Sequence, residues 1–336
     1  MGGIWMQGKD LVDGLVELIG YKLGVLVTAS ELHNAITSAG LGSDWPDDME
    51  ATYRYRSEEY EELARVALAA FGDPDAAAGP RLPVVSALQG LPASEQAMAL
   101  EVVDDVLKDL DGALQSTPRG GRIDPTPTLE RIKQRHGHTG ALIAIKLMAS
   151  INASLMISPW GGIRRAEWPD LVPLRDLFEV ESATSSLNTF FDQRFIDYLN
   201  ANLDNVDDVH WRRFEALVGE YLHRAGLSVE MGVGRNDDGV DLRASLKGSA
   251  ESSGPLVIVQ CKREKRKITK TVVKALAADV RWEGAQVGLL VTTGEWSPGA
   301  RATAKTRAYP LAEIDRSAVN RWIAEMRTPG AGDGLL

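Results

Sequence analysis

Asp241, Gln260 and Lys262 are the residues of this chain whose types and spacing could do chemistry. They occupy two short stretches, Asp238-Gly239-Val240-Asp241-Leu242-Arg243-Ala244 and Leu256-Val257-Ile258-Val259-Gln260-Cys261-Lys262. The first reads as a turn feeding a strand and the second as a buried strand. Side chains alternate along a strand, so Ile258, Gln260 and Lys262 share one face and Val257, Val259 and Cys261 the other. A Gln and a Lys thus appear together as an apolar strand ends, with an Asp on the preceding strand. A carboxylate can hold a hard cation and an amine can meet an anionic oxygen, which makes a metal-and-phosphate site.

The elements that must position these residues follow from the same pattern. From residue 211 the chain reads as mixed α/β. A helix over 211–225 stops at Gly226, a natural C-terminal signal. Short strands are expected near 227–232, 239–246 and 255–262, a helix over 269–282, a strand over 287–292 and a helix over 297–306. The strand–helix–strand order around 255–292 implies a right-handed crossover and a parallel pair.

An Asp followed by a hydrophobic strand ending in Gln-x-Lys resembles the PD-(D/E)xK nuclease superfamily. It is more specifically similar to the Mrr-like restriction endonucleases, in which Gln replaces the usual acidic residue. Trp211-Arg212-Arg213-Phe214-Glu215-Ala216-Leu217-Val218 resembles that family's opening helix with its Phe-Glu pair. Gly226-Leu227-Ser228-Val229-Glu230 resembles the next strand, and Val291-Thr292-Thr293-Gly294 the late strand and its polar tip. The resemblance spans roughly 205–327 and implies a restriction-endonuclease-like fold, a mixed sheet flanked by helices. It also implies Mg²⁺-dependent (or Mn²⁺-dependent) hydrolysis of double-stranded DNA in defence against foreign or modified DNA. The site residues it implies are Asp241 as metal ligand and the backbone carbonyl of Cys261 as a second. Gln260 would act as ligand or water-orienting group, Lys262 on the scissile phosphate, and Glu215 on the metal directly or through water. Gln for Glu removes one negative charge, which keeps a non-cleaving DNA-binding or scaffold relative in view. A nuclease on branched DNA or RNA is the other rival.

Arg263, Lys265, Arg266, Lys267 and Lys270 follow Lys262 closely, with Lys274 beyond. A charge run is ordinarily a solvated face; beside a scissile phosphate it could contact the DNA backbone, giving affinity and salt dependence rather than sequence reading. Thr293 and Ser297 lie where a strand tip meets a helix N-terminus, a geometry suited to phosphate. Ser297 reads equally as an N-cap. Gly232-Val233-Gly234 lacks the third glycine and following helix of a dinucleotide loop. His136-Gly137-His138 reads as a surface loop, Cys261 as a small core residue, and Trp160 and Trp168 as packing between domains.

Charge separates the chain into two parts. Residues 211–329 hold 20 Lys+Arg against 14 Asp+Glu, a net +6, whereas residues 1–210 hold 17 against 32, a net −15. The basic part can meet a polyanion; the acidic part suits a sensor, an oligomerisation surface, or a site for an activating protein or small-molecule signal. That N-terminal part reads as mostly helical: 9–21, 30–39 with Ser30 as N-cap, 47–71, and the amphipathic 94–114, followed by 129–136, 139–156 and 186–202. The expected domains are an acidic helical region 1–116, a linker 117–127, a helical connection 128–204 and a nuclease domain 205–329. One cysteine precludes an internal disulfide and fits a cytoplasmic protein. The apolar stretch 140–157 is too short and polar for a membrane span. Two sites are needed to cut both strands in one encounter, so a homodimer is attractive.

Overall fold

A computed structural model describes residues 3–78, 91–118, 123–162, 164, 168–179, 192–232, 239–248, 254–264 and 266–327, with the backbone alone at Ala93, Ser94 and Asp111. Its contacts divide the chain into two units, one on residues up to Leu174 and one on Arg175–Arg327.

The first unit is helical, with short strands: β1 (Gly3–Gln7), α1 (Gly8–Leu23), β2 (Val25–Leu26), α2 (Ala29–Ser38), β3 (Thr52–Arg56), α3 (Ser57–Phe71), α4 (Ala93–Ser116), α5 (Thr126–Ile157) and β4 (Val172–Pro173). α1 buries Leu11, Val12, Leu15, Leu18 and Ile19, one stripe at helical spacing. It ends on Gly24 in the left-handed region (φ 72°). A Cβ there would come within 2.5 Å of the Trp168 ring, so only glycine fits. α2 is capped by Thr28, not Ser30: the Thr28 hydroxyl accepts from the Glu31 N–H and the Glu31 carboxylate from the Thr28 N–H, a capping box.

The helix expected over 47–71 begins only at Ser57. Thr52–Arg56 is instead a strand paired antiparallel with β1, Trp5 opposite Arg54. Tyr53 and Tyr55 alternate with Thr52, Arg54 and Arg56, a strand pattern whose partner lies about 50 residues away and is invisible to a local helical reading. α4 and α5 share an apolar cluster that includes Val102, Val106, Ile143, Leu147 and Ile151. α5 joins the two helices expected at 129–136 and 139–156, with non-helical backbone at Gly137 (φ 69°, ψ −162°) between them. It is the one helix among the described residues long and apolar enough to cross a membrane by length and composition, and half of that stretch is buried inside the protein. His136 is not in a surface loop: it lies in α5, its side chain 6% exposed, and meets Asp105 of α4 at 2.9 Å. Trp160 and Trp168 pack within this unit, Trp160 against Tyr60 and with its indole N–H on Glu61 (2.9 Å).

The second unit holds α6 (Gln193–Ala201), α7 (Trp211–Arg224), β5 (Leu227–Met231), β6 (Leu242–Leu246), β7 (Val257–Lys262), α8 (Lys270–Glu283), β8 (Val287–Thr292), α9 (Pro298–Thr306), β9 (Leu311–Ile314) and α10 (Arg316–Met326). The sheet runs β5-β6-β7-β8-β9. β5–β6 and β6–β7 are antiparallel, while β7–β8 and β8–β9 are parallel. This is the expected mixed sheet flanked by helices. Ile258 and Leu290 pack under Val273, Leu276 and Val280 of α8 and Ala300 of α9. Gly288 lets α8 and β9 approach, since a Cβ there would lie 2.7 Å from both Val280 and Leu311. Neither β9 nor α10 was expected. Residues 175–179 and 192–204, read in the sequence as part of a connecting region, cluster with this unit: the Gln193 amide and the Arg224 guanidinium both donate to the Met326 carbonyl.

Candidate active site

The site forms where β6 begins and β7 ends. The β6–β7 pairing continues one residue past β6, because the Asp241 N–H donates to the Val259 carbonyl (2.9 Å). This draws the Asp241 carboxylate against β7, where Oδ2 accepts the Cys261 N–H at 2.6 Å. Gln260 is 7% exposed and its Nε2 donates to the Gly239 carbonyl at 2.7 Å. Gly239 has φ 88°, and a Cβ there would sit 3.0 Å from that same Nε2, so backbone and neighbour both favour glycine. With Nε2 fixed, Oε1 is oriented as well, and it is buried with no hydrogen-bond partner among the described residues. A buried amide oxygen without a donor is a cost the fold carries unless something fills the place. Lys262 ends β7 opposite Thr292 of β8, and its carbonyl accepts the N–H groups of Glu264 (3.1 Å) and Thr293 (3.4 Å).

α7 supplies the second carboxylate. Phe214 is fully buried and anchors the helix, while Glu215 is 5% exposed. Arg212 Nη1 donates to Glu215 Oε2 at 2.9 Å and its Nη2 to the Gly232 carbonyl at 2.8 Å. The Gly232 N–H in turn donates to the Asp241 carbonyl at 2.8 Å, so Gly232 ties Arg212 to the strand that carries Asp241. Burial, then the negative charges of Asp241 and Glu215, push the Cys261 thiol well above its ordinary 9.0, with Lys262 opposing. The charge of both carboxylates is felt at Cys261, whose raised thiol pKa argues against a thiolate nucleophile.

The basic run divides by partner. Arg263 donates to the Asp207 carbonyl. Lys267 pairs with Glu295 at 3.4 Å, both exposed. Arg266, Lys270 and Lys274 are exposed, and Lys265 lies outside the described residues. The segment is tied to the β8–α9 loop by Ile268 N–H to the Glu295 carbonyl (2.8 Å) and Ser297 N–H to the Ile268 carbonyl (2.9 Å). Thr293 is 6% exposed, and the Ser297 hydroxyl accepts the Ala300 N–H as the N-cap of α9.

Sequence reasoning quoted Arg212 but gave it no role. Its spacing of three from Glu215 is the available signal, because residues three apart on a helix are neighbours. Arg213, one residue on, is turned the other way: 2% exposed, stacked over Phe195 (4.4 Å) and donating to the Glu179 carbonyl (2.6 Å). Burial brings its pKa down to about 10 against the counter-effect of Asp192. The sequence Arg-Arg does not say which guanidinium is structural.

Among the described residues no three His, Cys, Asp or Glu side chains converge as a metal cluster. The candidate donors are the carboxylates of Asp241 and Glu215, the buried Gln260 amide oxygen and the backbone around Cys261. All are hard oxygen donors, which fit Mg²⁺ or Mn²⁺ rather than a thiophilic metal.

Residues 206–323 match the Mrr catalytic-domain family, described as restriction endonuclease. Two solved structures are similar. One is the DNA modification-dependent restriction endonuclease AspBHI, at 17% identity over 40% of this chain and 38% of that one, TM-score 0.31. The other is the MspJI restriction endonuclease in complex with a 27-mer oligonucleotide, at 17% identity over 57% of this chain and 44% of that one, TM-score 0.30. The chain thus spans less than half the length of either. No curated relative matches it.

Proposed function

We propose that the second unit, a restriction-endonuclease domain of the Mrr catalytic type over residues 206–323, is a metal-dependent endonuclease hydrolysing phosphodiester bonds of double-stranded DNA. The observation that carries this reading is the junction of β6 and β7. There Asp241 is held on the Cys261 N–H while the buried Oε1 of Gln260 has no donor among the described residues.

Asp241, Glu215, Gln260 Oε1 and the Cys261 carbonyl would hold the cation. A hard divalent ion, when bound, polarises the phosphate and makes an attacking water more acidic. The chain's own groups do the rest. Lys262 neutralises a non-bridging phosphate oxygen and stabilises charge as the water attacks phosphorus. Gln260, locked through Nε2 on Gly239, presents its oxygen in one orientation and loses no rotamer freedom on binding. The leaving group is the 3′-oxygen, which leaves a 5′-phosphate. Arg263, Lys265, Arg266, Lys267 and Lys270 would carry backbone contacts, with Thr293 and Ser297 at the strand tip. The acidic first unit would act as a sensor, regulatory or oligomerisation module in a defence system against foreign or modified DNA, with a homodimer placing two sites on one duplex.

A binding-only relative is favoured by one observation: Gln260 is neutral where an acid would strengthen metal affinity. Incubation of the full chain with supercoiled and methylated plasmid, with Mg²⁺ or EDTA, decides between them. Mg²⁺-dependent cutting by the wild type that is lost in both Asp241→Ala and Lys262→Ala establishes the nuclease. Tight DNA binding without cutting under any condition establishes the binding-only relative.

A further inference from the structure

Arg212 stands on the solvent side of Glu215. Its side chain is 26% exposed against 7% for the carboxylate it holds. A guanidinium has five N–H donors, and the bonds to Glu215 and Gly232 account for two of them. The formal charges around the site are balanced: Asp241 and Glu215 against Arg212 and Lys262, with Gln260 neutral. A divalent cation arriving at Glu215 competes with Arg212 for the same carboxylate. A buried carboxylate that loses its cation is costly, so one partner must replace the other. An arginine released from a carboxylate finds its best substitute in a phosphate, whose oxygens match the same planar fork.

We infer that Arg212 couples metal loading to DNA binding: it holds Glu215 in the free protein and exchanges that carboxylate for a backbone phosphate when duplex DNA arrives. This rests on the nuclease reading and adds the order of assembly to it. Without DNA the metal site is weakened by a resident cation. With DNA, Arg212 moves to the phosphate and Glu215 becomes available as a ligand. By linkage the metal strengthens DNA binding by the factor by which DNA strengthens metal binding.

Mn²⁺ binding followed by the loss of its free-ion paramagnetic resonance signal tests this on the full chain without reference to catalysis. Without DNA, Arg212→Met should bind Mn²⁺ several-fold more tightly than the wild type, with Arg212→Lys between them. In a Lys262→Ala background, so that nothing is cut, a short duplex should raise Mn²⁺ affinity roughly tenfold when Arg212 is present and far less in Arg212→Met. If Arg212→Met fails to give a cooperative melt, the Arg212→Lys comparison and the reciprocal gain in DNA affinity on adding Mn²⁺ decide. Mn²⁺ binding unchanged or weakened in the folded variant overturns the coupling alone. No Mn²⁺ binding by any of the proteins at millimolar metal overturns the coupling together with the metal-site reading. Absence of duplex binding by the wild-type chain in EDTA at low salt counts against the nuclease reading, while the DNA-free comparison still decides whether Arg212 competes with the metal.

Discussion

Each unit buries a carboxylate beside an arginine, and the two differ in how completely the charge is answered. In the first unit Asp105 accepts two bonds from Arg135 Nη1 (both 2.8 Å) and lies 2.9 Å from His136 Nε2. Arg135 and His136 of α5 close on Asp105 of α4, and none of the three has a buried unpartnered side-chain atom among the described residues. In the second unit Glu215 has Arg212, but Gln260 Oε1, near the end of β7, is buried without a donor among the described residues. A closed cluster specifies how two helices meet; an open one costs stability and is retained where something else binds. Position in a fold and burial do not separate structure from function here. What sets the second cluster apart is an acceptor oxygen left open beside carboxylates, the feature on which the proposed function rests.

The largest test sets the two carboxylates side by side. Asp241→Asn keeps an oxygen for the Cys261 N–H and so should melt close to the wild type, yet should lose roughly 10³-fold or more in plasmid cleavage, several kcal/mol of charge stabilisation. Asp105→Asn should do the reverse: unchanged cleavage at saturating metal, with a loss on the order of 1–3 kcal/mol in a denaturant titration as Arg135 and His136 lose a charged acceptor. Asp105 also gives the comparison a pH signature. Its hydrogen bond from His136, opposed by burial and aided by the charge of Arg135, holds the carboxyl below its ordinary 3.8. A depressed carboxyl contributes stability that is present above the unfolded value and lost as pH falls below it. Acid titration of the melting temperature should therefore show a step below pH 3.8 that Asp105→Asn removes. A cleavage defect in Asp105→Asn of the same size as that in Asp241→Asn would break the comparison.

Gln260→Glu is the next test. It adds a negative charge at the unpartnered position and should lower the Mn²⁺ concentration for half-maximal binding by roughly tenfold, about 1.4 kcal/mol. It also removes the donor to Gly239 and sets a carboxylate near that carbonyl, so stability should fall by about 1 kcal/mol. Unchanged metal affinity would mean that Oε1 faces no cation.

How much of this was legible in the sequence follows the range of the interactions. β7 could be read because an apolar run ending in Gln-x-Lys carries its own period, and Asp241 because it follows a Gly turn and leads into the preceding strand. Glu215 was singled out only through the resemblance of its Phe-Glu pair to the family's opening helix, since a Glu on an amphipathic helix is ordinarily exposed and this one is buried. Arg212 was not given a role, since nothing local distinguishes it from Arg213; only the folded positions of Gly232 and Glu179 separate them. The same limit explains β3. Tyr53 and Tyr55 alternate as a strand requires, but Glu58, Glu59 and the apolar residues after them form a true helix, and a reading by helical period extended it backwards. His136 looked solitary because Asp105 is 31 residues away and is brought near only by the packing of α4 on α5.

The smallest effect is expected on the surface beside the open site. Lys267 and Glu295 form an exposed pair, and such pairs contribute at most about 1 kcal/mol, so Lys267→Ala should leave the melting temperature within about a degree or two. If the run after Lys262 lies along DNA, the same variant should lower affinity for all duplexes alike and reduce the slope of log affinity against log salt by about one counterion. Glu295→Ala should then strengthen DNA binding slightly, because it frees the same ammonium. Lys267→Ala with an unchanged salt slope would make this segment a solvated face tied to the β8–α9 loop through Ile268 and Trp296, and would confine the DNA contacts to the residues at the ends of β6 and β7.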